Sequence, residues 1–204
     1  MSSSPAFRLP PEEPPALHDR AMDNLKFIRE TMERAGAFTA VPGWGGVAIG
    51  ITALGATYVA QSQPTFDRWM LVWFVEAAIA LALSAWAVRR KSLRAGVPLW
   101  SGPGRRFALN FAPPMLVGGI LTLVLYRAGM VGAIPGVWLL LYGTGIVAGG
   151  AFSVPVVPAH GVLLMLTGTV ALFTPAAWRD YFMAFGFGLL QITLGYVIAR
   201  RYGG

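Results

Sequence analysis

Six stretches of about 20 apolar residues, set almost end to end, constrain this chain more than any other feature. They fall at roughly 42–62, 69–88, 108–126, 133–152, 156–174 and 181–199. At ~1.5 Å per residue, a helix of that length crosses a ~30 Å hydrocarbon layer. Backbone in hydrocarbon must satisfy its own hydrogen bonds, and a helix does so internally. Composition closes the soluble alternative: 55% of the residues are hydrophobic and 12% charged, about half the ~25% charge of an ordinary globular chain. The reading is an all-α polytopic membrane bundle of six transmembrane helices, preceded by a cytoplasmic amphipathic helix. Prolines at or near span starts (Pro42, Pro135, Pro155, Pro158) support the boundaries, because proline is best tolerated in a first helical turn. Pro113 and Pro114 predict a kink in the third span.

The first 36 residues are different. Residues 1–15, MSSSPAFRLPPEEPP, hold five prolines and are read as an extended tail. Residues 16–36 are read as a cytoplasmic helix. Ala21, Leu25, Ile28, Met32 and Ala35 make one stripe, Lys26–Glu30, Arg29–Glu33 and Glu30–Arg34 are opposite charges four apart, and Gly36 is a plausible C-cap. This segment is too charged to span. It has no signal-peptide pattern, so the first span is expected to act as an uncleaved signal. Residues 37–204 are the membrane domain.

Thirteen of the sixteen Lys and Arg gather on one side of this topology, against Arg68, Arg127 and Arg179 on the other. The positive-inside bias therefore puts both termini in the cytoplasm of a bacterial inner membrane. Interfacial aromatics fit this, with Trp69, Tyr126, Trp178 and Tyr181 at the outer level and Trp44, Trp86, Trp100 and Tyr196 at the inner. The net charge of +7 is thus read as facing anionic lipid, and no nucleic-acid partner is expected. A weak repeat is present: Pro64, Arg68 and Arg89-Arg90 echo Pro175, Arg179 and Arg200-Arg201 at one offset, 111 residues. Common descent of hairpins and chance matching are equally good accounts of it.

The segments DNLKFIRETMERAGAFTAVPGWGG, PLWSGPGRRFALNFAPP, PGVWLLLYG and GFGLLQITLGYVIARRYGG resemble a group of bacterial integral membrane proteins of unknown function. The resemblance implies six spans and carries no activity or functional residues.

Candidate chemistry is sparse. With no cysteine and only His18 and His160, disulfides, thiol catalysis, thiolate metal sites and a bis-histidine haem within one chain are all excluded. No catalytic triad, phosphate loop, paired-carboxylate site or metal cluster is visible, so no catalytic residue, metal or cofactor is expected and the protein is read as not an enzyme. Glu76 is the only acid inside a span, with Trp73 and Trp69 three and seven residues earlier on the same helical face. An acid in hydrocarbon beside indole faces could hold an organic cation or exchange it for a proton; the alternative is a neutral acid gluing two helices, with the tryptophans in the interfacial belt. His160 could relay protons or ligate across a dimer, or simply bond a free carbonyl near Pro158. Gln191, Thr193 and Asn110 could line a path for a neutral solute, or glue helices. Arg89, Arg90, Lys91, Arg94, Arg105 and Arg106 lie in one acid-free loop and could bind lipid headgroups, or only enforce topology. Gly46/Gly50, Gly132/Gly136 and Gly145/Gly149 are small-residue pairs that allow close helix approach within a chain or in a homo-oligomer. The leading expectation is a non-enzymatic accessory subunit that docks a partner, or a second copy, through helix 16–35. The alternative is a small-solute or cation transporter relying on Glu76.

Overall fold

The computed structural model describes residues 22–28, 43–95, 102–151 and 153–202. Two compact units divide the chain, Met1–Gly36 and Ala37–Gly204. In the first, residues 22–28 are helical with every side chain exposed. The tail 1–15, the Gly36 cap and the charge pairs of the predicted helix lie outside the described residues.

The second unit is helical, with no strand among the described residues. Six helices are long and apolar enough to cross a membrane: α1 (Gly43–Ala60), α2 (Phe66–Ala95), α3 (Gly102–Arg127), α4 (Ile134–Gly150), α5 (Val156–Phe173) and α6 (Ala176–Arg201). This is an integral membrane protein. The termini of the bundle share one end, called here the terminal end; the α1–α2, α3–α4 and α5–α6 turns share the other, the turn end.

One boundary departs from the sequence reading. The basic loop is largely helix: α2 continues through Arg89, Arg90, Lys91 and Arg94, and α3 already includes Arg105 and Arg106. Lys, Arg, Leu and Ala are good helix formers, and cations at a helix C-terminus are favoured by its dipole, so the helix outlasts the apolar run. The side chains of Lys91 and Arg94 lie outside the described residues. The third span is a single helix that contains both Pro113 and Pro114. Prolines leave carbonyls one turn earlier without donors, which a helix in the bilayer tolerates where neighbours compensate.

Glycine faces determine which helices touch. On α1, Gly43, Gly46 and Gly50 lie on α6; a Cβ at Gly43 would collide with the Ala199 backbone, and one at Gly50 would stand 2.7 Å from the Gly188 carbonyl oxygen. On α4 and α5 the contacts are reciprocal. A Cβ at Gly143 would meet the Gly161 oxygen at 2.6 Å and one at Gly161 the Gly143 oxygen at 2.7 Å; Gly136 and Gly168 meet likewise at 3.0 and 2.7 Å. Gly145 and Gly149 instead seat Phe111 and Phe107 of α3. All three small-residue pairs therefore pack inside the chain. Apolar side chains gain nothing by leaving lipid for another helix, so close backbone contact of this kind holds a membrane bundle together.

The lipid-facing surface is broad and apolar, with Leu71, Leu81, Leu116, Ile120 and Phe173 among its exposed side chains. Tyr126, Trp178 and Tyr181 at the turn end, and Trp44, Trp86 and Tyr196 at the terminal end, are exposed as belt residues should be. Trp69 is the exception. It is fully buried, so it cannot be an interfacial anchor.

Candidate intramembrane site

Phe66, Trp69, Trp73 and Glu76 follow one another at spacings of three, four and three on α2, which aligns them on one helical face. That face points into the bundle: Trp69, Trp73 and Glu76 are buried among predominantly exposed neighbours such as Leu71, Phe74 and Val75. Glu76 stands seven residues after Trp69, where the apolar run begins, about 10 Å along the helix and so well inside a ~30 Å hydrocarbon layer.

The partner of Glu76 is Thr52 on α1, whose hydroxyl lies 2.8 Å from Oε1 and 2.9 Å from the Ile49 carbonyl oxygen. One hydroxyl hydrogen cannot serve both acceptors. With Glu76 ionised, Thr52 donates to the carboxylate. With Glu76 protonated, the acid donates to Thr52 and the threonine hydrogen passes to Ile49, so both contacts are satisfied. Thr52 can thus pair with either state of the acid. One turn away, the Trp73 indole Nε1 is buried with no hydrogen-bond partner among the described residues. An unspent donor in a dry interior costs about 1–3 kcal/mol.

The helix opposite this face is irregular. Within α6, residues Ala184–Leu190 form a π-helical stretch between α-helical halves. Such wide turns are rare and occur often at functional sites. Phe187 in this stretch contacts Trp73 at 6.1 Å and, edge-on, Tyr142 of α4 at 5.2 Å. Gln191, the first residue after it, is buried and lies 3.1 Å from His160 Nε2 of α5 through its Oε1. A carbonyl oxygen only accepts, so Nε2 carries the hydrogen in this arrangement. The Tyr142 hydroxyl faces the same amide. The rings Trp73, Phe187 and Tyr142 thus run between the two polar groups, and ring contact continues from Trp73 to Trp69 at 6.0 Å and from Tyr142 to Phe111 at 5.6 Å.

At the turn end, Trp69 Nε1 donates to Asp180 Oδ1 at 2.6 Å. These two residues are separated by 111 positions, the offset of the weak repeat. The Arg179 guanidinium lies over Trp69 at 5.1 Å and over Phe66 at 5.6 Å, with Asp180 Oδ2 at 3.8 Å from its Nε. Beside it, Tyr126 donates to Asp67 at 2.7 Å and ties α3 to the start of α2.

The sequence-derived candidates therefore separate. Glu76, Trp73 and Trp69 form one buried column. His160 and Gln191 pair deeper toward the terminal end. Asn110 and Thr193 do not join them: both are exposed and bond back to their own helices, to Arg106 and Leu190 carbonyls. Arg89, Arg90, Arg105 and Arg106 are exposed at the terminal end, with Arg90 over the Trp86 ring at 5.3 Å. Among the described residues no three of His, Asp and Glu meet as a metal-ligand set.

Sequence reasoning missed Thr52, Phe187 and Arg179. Thr52 was reachable, because Thr52 and Glu76 stand equally far, twelve residues, either side of Pro64 in the first turn. An antiparallel hairpin pairs such positions. The π turn left no signal, since AFGFGLL reads as ordinary apolar helix.

The chain matches no protein-family model, and no curated protein or solved structure shows detectable similarity to it.

Proposed function

We propose that this protein is a non-enzymatic secondary transporter that exchanges a small organic cation for a proton at Glu76. The observation that carries the reading is an acid buried within a membrane-spanning helix, beside an indole N–H that has no partner among the described residues. An unneutralised charge there costs about 3 kcal/mol on insertion scales. Glu76 is therefore inexpensive to move or occlude only when a proton or a cation neutralises it, and competition for one carboxylate couples the two fluxes. Thr52 keeps a hydrogen bond in either state. Trp73 supplies a ring face for the cation and a donor for an oxygen on the substrate. The π turn of α6, packed on Trp73 through Phe187, is the element suited to rearrange as occupancy changes. On this reading the turn end faces outside, as the distribution of Lys and Arg favours. The test is proton-coupled cation uptake in proteoliposomes: Glu76→Gln abolishes coupling, and unchanged flux overturns the proposal.

A second reading is an accessory protein whose N-terminal helix docks a cytoplasmic protein. Its support is that Leu25 and Ile28 of the predicted stripe are exposed. A mild-detergent pull-down from native membranes, comparing the full chain with one starting at Gly36, separates the readings. Loss of a specific co-purifying protein on truncation supports docking; a chain that emerges alone in both cases removes it.

A further inference from the structure

The turn end of the column already holds a cation, and it is the protein's own. Arg179 lies over two rings, Trp69 and Phe66, and Asp180 flanks it while accepting the Trp69 N–H. These are the parts of an organic-cation site: ring faces, one carboxylate, and burial of the central indole. The box stands at the head of the face that continues through Trp73, whose N–H has no partner among the described residues, to Glu76. Arg179 keeps about a quarter of its side chain exposed, so it covers the box from the solvent side and has room to leave. Its stem is held by no other hydrogen bond or ion pair among those described.

We infer that Phe66, Trp69 and Asp180 form an entry site for organic monocations of the guanidinium and quaternary ammonium class, and that Arg179 is its built-in plug. A substrate cation enters by taking the place of the arginine on the same two rings. The plug sets a threshold: an incoming cation must outcompete a tethered one. The inference rests on the transport reading for the onward step to Glu76, but the entry site itself does not need Glu76.

The test uses the full chain in lipid nanodiscs. Methylguanidinium binding is measured by calorimetry for wild type, Arg179→Ala, Arg179→Ala with Trp69→Leu, and Arg179→Ala with Glu76→Gln. Removing a competitor held by cation–π contact raises affinity by about tenfold. The gain is expected to vanish with Trp69→Leu and to survive Glu76→Gln. Equal affinity in wild type and Arg179→Ala, or a gain indifferent to Trp69→Leu, overturns the plug.

A second arm needs no variant. Saturating tetramethylammonium, which does not consume the reagent, is expected to raise phenylglyoxal modification of Arg179 severalfold over an equal concentration of NaCl. Modification of exposed Arg127 at the same end is expected not to change. No rise at Arg179 also overturns the proposal. If the plug behaves as described while Glu76→Gln leaves flux intact, the entry site stands and the transport reading falls. If Glu76→Gln abolishes flux while Arg179 never yields, the transport reading stands alone.

Discussion

Replacing Gly161 by alanine tests how this bundle is held together. The new Cβ would lie 2.7 Å from the Gly143 carbonyl oxygen, 2.9 Å from the Val147 nitrogen and 2.8 Å from a Val147 methyl. Two of these are backbone atoms and cannot rotate away. Ordinary contact begins at 3.4 Å, so α4 and α5 must part locally by about 0.7 Å, a gap that forfeits a quarter to a half of each dispersion contact. With ~40 atom pairs across the contact at ~0.15 kcal/mol each, a loss of about a third gives about 2 kcal/mol. That agrees with the ~1–3 kcal/mol usual for overpacking. The control is Gly55→Ala, where nothing lies within 4 Å of the new Cβ. There alanine removes glycine's helix penalty, and stability is expected to hold or to rise by up to ~1 kcal/mol. The assay is reversible unfolding in mixed micelles, read by tryptophan fluorescence and circular dichroism. A Gly161→Ala protein within 0.5 kcal/mol of wild type would refute backbone contact as the source of cohesion.

Three further outcomes are expected. Thr52→Val removes the hydroxyl that pairs with Glu76, at a cost of about 1 kcal/mol in the same unfolding assay, and leaves the pH midpoint of cation uptake nearly where it was, because the hydroxyl serves both states of the acid; a large shift of that midpoint contradicts the pairing of Thr52 with both states. A double-mutant cycle of His160→Phe and Gln191→Leu gives a coupling of about 0.5–1.5 kcal/mol, whereas additive losses show that the bond is not formed in the bilayer. Because the chain has no cysteine, single cysteines at Gln61 and Ala128 can be tested directly in spheroplasts with an impermeant maleimide. Both label from outside and Tyr202→Cys does not; the reverse pattern inverts the assigned orientation.

The six helices were legible because lipid imposes long apolar runs and leaves little room for another architecture. Where charge and helix compete, the sequence reading erred: the segment around Arg89 and Arg90 looked like a loop because it is basic, yet basic residues extend a helix readily once it emerges from hydrocarbon. The column from Trp69 to Glu76 was visible as helical spacing on one element. What that spacing could not give was the inward direction of the face, which moves Trp69 from an interfacial anchor to the most buried tryptophan of the column. Neighbours across the bundle were harder to see. The meeting of His160 with Gln191 depends on α5 lying beside α6, which glycine faces and side-chain packing decide together. The gathering of Arg179, Trp69 and Asp180 joins residues over a hundred positions apart, and only the weak repeat hinted that these two turns belong together.

Proton-coupled cation uptake in proteoliposomes, compared between wild type and Glu76→Gln, tests the central claim most directly. An imposed pH gradient is expected to drive uptake of tetramethylammonium or methylguanidinium in wild type and to lose all effect in Glu76→Gln, while both proteins purify as folded, monodisperse particles. Gradient-driven uptake that persists in Glu76→Gln would contradict the account and return Glu76 to the role of a hydrogen-bonded strut between α1 and α2.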